Sequence, residues 1–205
     1  MGRKEVPSLV KDEKLIQKRR EEMVKAAVTL FKKNGYHRTT TREIAKASGF
    51  SIGTLYEYIR TKEDILYLVC DSIYDGVRER LQESLRGEEG GLVGIKRAIA
   101  AYFKVVDDMQ DEVLVMYQEA KSLSKEALPY VLKKELEMTG IFEDLLMQAA
   151  RGGELNLAPD EIPLVAHNIL IHGQMWTFRR WILQKMYTLE EYTKKQTDLL
   201  LKGVL

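Results

Sequence analysis

The 205-residue chain has one cysteine, four prolines and three histidines. Cys70 cannot form an internal disulfide, so a reducing, cytoplasmic setting is expected. There is no His/Cys cluster. His167 and His172 are five residues apart, which is about 140° around a helix at 3.6 residues per turn. They therefore do not share a face as zinc ligands at i and i+4 do, and no metal site is expected. No glycine-rich phosphate loop is present, and no carboxylate stands out in an apolar setting as a tuned acid or base would. The residues give no reason to expect an enzyme or a cofactor.

Long apolar runs are also missing. The longest uncharged stretch, Ile162 to Phe178, has 17 residues, whereas a helical membrane span needs roughly 20 mostly apolar ones. Pro163, His167, Asn168, His172, Gly173 and Gln174 interrupt it, so a buried helix is the better reading. The opening MGRKEVPSLVKDEK lacks the apolar core of a signal peptide. Alternating Val/Ile/Thr-rich strand patterns do not occur. With 45% hydrophobic residues, the composition points to an all-α protein with a substantial core.

Charge is present but unevenly placed. Residues 1–62 hold 15 Lys and Arg against 7 Asp and Glu, a net of +8. The remainder holds 17 against 24, a net of −7. A basic N-terminal third on an acidic body suggests nucleic-acid contact at one end, although a solvated basic helix face would give the same count.

Helical periodicity predicts about nine helices. The first, 14–33, carries Ile16, Met23, Ala27, Leu30 and Phe31 on one stripe and stops at Asn34-Gly35. A second starts at Thr40 or Thr41, with Glu43 placed for a capping box, and ends at Ser48-Gly49. Ser51 caps a third, through about Ile59. Thr61 caps a long fourth, 62–86, with Asp64 at the capping-box offset. Further helices are expected at 92–109, 111–122, 125–152, 160–186 and 188–203, with Asp160 capping the one that carries Pro163 in its first turn. The expected organisation is a flexible arm at 1–13, a head at 14–61 and a C-terminal domain at 62–205.

Two helices joined by a short glycine-containing turn, the second very short, are the layout of a helix-turn-helix. Thr40, Thr41 and Ser51 offer hydroxyls to phosphates, and Arg42, Lys46 and Lys62 add charge-assisted contacts. Thr54, Tyr56 and Tyr58 project from the short helix, and Gly53 leaves room for close approach to bases. Any one of these caps is commonplace; the combination is not.

The set resembles the DNA-binding domain of TetR-type transcriptional regulators. The resemblance rests on Gly35; Thr40, Thr41, Ile44 and Ala45; Ser48 and Gly49; Ser51, Gly53, Thr54, Leu55, Tyr56 and Tyr58; and Lys62, Glu63, Ile65 and Leu66. It implies that Thr40, Thr41, Ser51, Tyr56 and Lys62 hold phosphates and that Arg42, Ile52, Gly53, Thr54 and Tyr58 lie near base edges. Ile44 and Leu55 would be core. Phe50 stands where a smaller Val is usual, and the N-terminal arm is long, with Arg3 and Lys4 as candidate DNA contacts. The resemblance further implies a homodimer on a palindromic double-stranded operator, a repressor released by a small-molecule effector. An all-helical enzyme, or an adaptor without DNA binding, is the alternative.

For that effector, Met116, Met138 and Met175 with Tyr102, Phe103, Tyr117, Phe142 and Trp176 could line a pocket for a lipophilic molecule. They read equally well as plain core. Arg179 and Arg180, between Phe178 and Trp181, call for an anionic partner: Glu112 or Glu119, a carboxylate across the dimer, or a ligand's carboxylate or phosphate. The C-terminal pattern faintly resembles members that sense fatty acyl-CoA esters. The apolar 160–186 helix and the last helix, through Ile169, Leu170, Trp181, Tyr192 and Leu199, are the expected dimer interface, with an internal core helix as the plainer reading.

Overall fold

The computed structural model describes residues 6–87 and 90–204, and among them are ten α-helices, one 3-10 turn and no strand. The helices are α1 (Glu13–Asn34), α2 (Thr41–Ala47), α3 (Ile52–Tyr58), α4 (Lys62–Ser84), α5 (Gly91–Asp108), α6 (Gln110–Glu119), α7 (Leu128–Arg151), α8 (Ile162–Phe178), α9 (Arg180–Met186) and α10 (Leu189–Leu201). They gather into two compact units. One comprises Met1–Tyr74 with Leu114–Lys133, the other Asp75–Val113 with Lys134–Leu205. α4, α6 and α7 contribute residues to both.

In the first unit the helix ends follow their signals. Gly35 ends α1 at φ 76°, and its N–H donates to the Phe31 carbonyl at 2.8 Å. That left-handed conformation is open to glycine without a Cβ clash. Thr40 and Glu43 form a complete capping box at α2. At α4, the Asp64 amide donates to Thr61 Oγ1 at 3.2 Å while Asp64 Oδ2 accepts from the Thr61 amide at 3.0 Å. α2 and α3 have seven residues each, too few to persist alone in water. Their stability comes from a shared core of Met23, Ala27, Phe31, Ile44, Ala45 and Leu55, all nearly or wholly buried. Full burial of one Leu or Ile side chain is worth about 1.5–3 kcal/mol. Cys70 lies in this unit; burial pushes its thiol up to about 12, which leaves it inert as a nucleophile.

Residues 6–10, expected as part of a flexible arm, are anchored. Val6 is buried, and the Leu9 amide donates to the Glu57 carbonyl at 2.8 Å. Arg3 and Lys4 lie outside the described residues.

In the second unit α8 packs on α5 and α10. Tyr102, Phe103, Phe142, Trp176 and Tyr192 form its aromatic core, with Tyr102 edge-on to Phe142 at 5.6 Å and Trp176 at 4.9 Å from Tyr192. The single helix expected over 160–186 is two. Arg179 leaves helical geometry at φ −110°, ψ 22°, so α8 ends at Phe178 and α9 starts at Arg180. Asp160 is not the cap of α8: Glu161 occupies that position, and its carboxylate instead accepts from the Ala158 amide at 2.9 Å. Pro163 sits in the first turn, where its missing N–H costs nothing. No helix among the described residues is long and apolar enough to cross a membrane.

Candidate nucleic-acid interface

Ile44 on α2 and Leu55 on α3 are fully buried and fix the two short helices to each other and to α1. Between them Gly49 takes φ 75°, and the Phe50 amide donates back to the Ala45 carbonyl at 2.8 Å. Phe50 lies beneath the Arg19 guanidinium, 5.2 Å from its ring centre. Ser51 Oγ accepts from the Thr54 amide at 3.0 Å and opens α3. With Leu55 turned inward, α3 leaves Ile52, Gly53 and Tyr56 exposed to solvent, and Ile52 is 37% exposed although it is apolar.

Four hydroxyls on this face work in pairs. Thr41 Oγ1 and the Tyr56 hydroxyl are 3.1 Å apart, and Ser51 Oγ and Thr54 Oγ1 are 2.9 Å apart. In each pair one O–H donates to the other, which leaves one hydroxyl hydrogen per pair for an outside acceptor such as a phosphate oxygen. Arg42 and Lys46 are exposed on α2 beside them. Thr40 is differently occupied: its amide and its hydroxyl both donate to Glu43 Oε2, at 2.7 and 2.8 Å. Those bonds, the amide first, hold the Glu43 carboxyl below its ordinary range. Thr40 therefore serves as a cap, and its hydroxyl hydrogen is taken.

Two further predicted contacts are engaged within the chain. Tyr58, expected near base edges, is 4% exposed and packs into the head's own core, because it lies three residues after Leu55 on the same face. Lys62, expected on a phosphate, donates to the carbonyls of Tyr36, Thr39 and His37 at 3.0, 3.1 and 3.4 Å. It also sits 4.2 Å from the centre of the Tyr36 ring. An ammonium has three donors, and here three carbonyls take them. Lys62 thus pins the turn between α1 and α2 to the start of α4.

Other residues at this turn escaped the sequence reading. Glu119 Oε1 accepts from the Tyr36 amide at 3.0 Å, and Ser122 Oγ pairs with His37 Nε2 at 3.2 Å. These partners are more than 80 residues apart, and no local motif announces them.

The effector and dimer candidates separate into inner and outer groups. Tyr102, Phe103, Met116, Met138, Phe142 and Trp176 are buried, and Met175 is partly so. Tyr117 is 63% exposed and Arg179 is exposed, so neither faces a buried pocket. Arg179 lies over the Trp181 ring at 5.2 Å, and Arg180 pairs with Asp111 at 2.8 Å, not with Glu112 or Glu119. A groove of about 440 Å³ does occur in the second unit, between α5 and α10. It is lined by Lys96, Ala100, Thr193 and Lys194 among others, and by none of the predicted pocket residues. Ile169, Leu170 and Tyr192, expected at a dimer interface, are buried within the chain's own core. Trp181 and Leu199 are exposed, as are Leu164 and Ile171, the apolar outer stripe of α8. Among the described residues no group of three or more His, Cys, Asp or Glu is placed to hold a metal ion.

Comparison with known proteins bears on both units. Residues 23–67 match the family described as bacterial regulatory proteins, tetR family, and residues 95–204 match the tetracyclin repressor-like C-terminal domain. The HTH-type transcriptional regulator HbdR of Aromatoleum sp. (strain CIB) is 28% identical over 200 residues, 98% of this chain and 86% of that protein. The fatty acid metabolism regulator protein of Bacillus subtilis (strain 168) is 24% identical over 184 residues, 89% of this chain and 94% of its own length. The crystal structure of AibR in complex with isovaleryl coenzyme A and operator DNA superposes with a TM-score of 0.75 at 19% identity, covering 89% of this chain and 98% of that one.

Proposed function

The chain belongs to the tetR family of bacterial regulatory proteins, and from that membership we propose that it acts as a homodimeric repressor that grips a palindromic DNA operator and is released by a fatty acyl-CoA ester. The observation that carries the DNA reading is the outward face of α3. Exposed Ile52 and side-chain-free Gly53 are flanked by two hydroxyl pairs and by Arg42 and Lys46. That is a surface for base edges framed by phosphate donors. Two such faces, about 34–36 Å apart, suit successive major grooves.

The dimer in this reading uses the exposed apolar residues Leu164, Ile171, Trp181 and Leu199, because burying such residues against a second copy is the usual remedy for their exposure. The effector class is supported by the aromatic interior of the second unit, where Met109 and Met138 are also buried. It is also supported by two similar proteins, one named for fatty acid metabolism and one solved with an acyl-CoA and operator DNA.

Coupling in this reading runs through α4 and α6. The first turn of α6 is held by α9, where Arg180 donates to Asp111 and Gln184 donates to Gln110 at 3.0 Å. Its last residue, Glu119, holds the Tyr36 amide of the head. An effector need only bind the two positions of these helices with different affinity.

A panel of acyl-CoAs tests the effector assignment. At 100 times its Kd a true effector stabilises by about 2.7 kcal/mol, which raises Tm by roughly 5–10 °C for a chain of this size. The same ester should release labelled operator DNA in fluorescence anisotropy, and coenzyme A alone should not. No shift and no release at any acyl length would overturn the acyl-CoA class.

A further inference from the structure

We propose that Arg20 and the segment 6–10 form a latch that fixes the end of the recognition helix α3 and so sets how sharply the protein discriminates its operator. The proposal rests on the DNA-binding reading above. α3 has seven residues, and the last carbonyls of any helix lack partners inside it. The usual glycine cap is absent: α3 runs into Ile59 in extended geometry, at φ −145° and ψ 165°. Its final carbonyls are bonded from outside instead.

The Glu57 carbonyl accepts from the Leu9 amide at 2.8 Å and from Ser8 Oγ at 3.0 Å. The Tyr58 carbonyl accepts from Arg20 Nε at 3.2 Å and Nη2 at 3.0 Å, and Nη2 also donates to the Val6 carbonyl at 2.6 Å. One guanidinium on α1 therefore ties the arm to the end of α3, and a charged donor makes these bonds stronger than neutral ones. The buried Val6 side chain seats the arm. Ser8 Oγ also accepts from the Val10 amide at 3.2 Å, which orders the strap itself.

The consequence concerns specificity. Charge-driven attraction to phosphates needs no fixed register, whereas hydrogen bonds to base edges need the side chains of α3 held in place. A loosened α3 should keep its charge-driven grip on any duplex and lose its preference for one. Arg20 is thus a positioning residue: its guanidinium donates to protein carbonyls on the arm and on α3.

The test uses full-length protein in three forms: Arg20→Met, the double variant Ser8→Ala with Leu9→Pro, and all three changes together. Leu9 is 81% exposed, so its replacement removes the amide donor without disturbing a core. The probes are a duplex that the wild type selects from a random pool and a scrambled duplex of the same composition. Each variant is expected to bind the selected duplex roughly tenfold or more weakly. Affinity for the scrambled duplex, and the salt dependence of binding, should stay at wild-type values. The combined variant should lose less than the product of the separate losses, since both sets of bonds hold the end of one helix.

Wild-type discrimination in both the Arg20→Met and the double variant would overturn the latch. So would an equal loss on both duplexes with a salt slope reduced by about one phosphate, because Arg20 would then be a direct phosphate contact. A wild type that selects no duplex would instead overturn the DNA-binding reading itself.

Discussion

Gly53→Leu is expected to abolish operator recognition while leaving the fold as stable as the wild type or slightly more so. The two halves of that result have separate causes. Gly53 has no positive φ, and a Cβ placed there meets only Ser51 Oγ, at 3.6 Å. Nothing inside the chain requires a glycine at this exposed position. Leucine is also the better helix former, by up to about 0.8 kcal/mol in a helix interior and less at this second position. A structural glycine would show the reverse. The remaining reason for bare backbone on this face is the close approach of a partner. An isobutyl group there would hold α3 off the base edges, and each lost base contact costs about 1–3 kcal/mol. Over the two half-sites of a palindrome this is roughly 2–6 kcal/mol, a 30-fold or greater loss. Thermal melting and operator titration of the purified variant check the two halves independently.

Gly173→Val is expected to be severely destabilising, with no DNA contact involved. Gly173 faces the aromatic core of the second unit. A Cβ at that position would overlap the edge of the Tyr102 ring and approach Phe103 Cδ1 to 3.1 Å. Neither ring can retreat easily. Tyr102 is 2% exposed, packs edge-on to Phe142, and donates its hydroxyl to the Leu170 carbonyl at 3.3 Å. The same burial raises the Tyr102 phenol well above its ordinary range. Forcing a larger side chain into such a core typically costs about 1–3 kcal/mol and sometimes more. With two branches added beyond the clashing Cβ, the upper part of that range is expected. The measurement is Tm of Gly173→Val against Gly140→Val, where a Cβ meets no atom within 4 Å. The Gly173 variant should melt at least about 5 °C lower than its control.

The contrast between these glycines shows what was legible in the sequence. Local signals were readable because their physics is local. The Thr40/Glu43 and Thr61/Asp64 caps, the stop at Gly35 and the turn at Gly49 each involve residues within five positions. The inward stripe of α1 and the burial of Ile44 and Leu55 follow from helical spacing.

The structural role of Lys62 depends on distant partners, whereas the placing of Tyr58 and the break at Arg179 are local. Lys62 looked like a cation for phosphate because three carbonyls more than 20 residues away are invisible to spacing. Tyr58 looked like a projecting aromatic, although its place three residues after Leu55 put it on the buried face. Likewise the break at Arg179 has no Pro or Gly to announce it. The apolar character of 160–186 predicts one interface helix. It divides instead between core residues such as Ile169 and Leu170 and exposed ones such as Leu164, Ile171 and Trp181.

DNA recognition by the α2–α3 face is tested most directly by equilibrium titration of the full-length protein. The ligands are a duplex selected from a random pool and a scrambled control, each measured as salt rises from about 50 to 200 mM. The selected duplex should bind at least about 10³-fold more tightly than the control. Its affinity should fall steeply with salt, by about 10³ across that range if some six phosphates are neutralised. Equal affinity for the two duplexes, or binding indifferent to salt, would contradict a sequence-reading grip by this face.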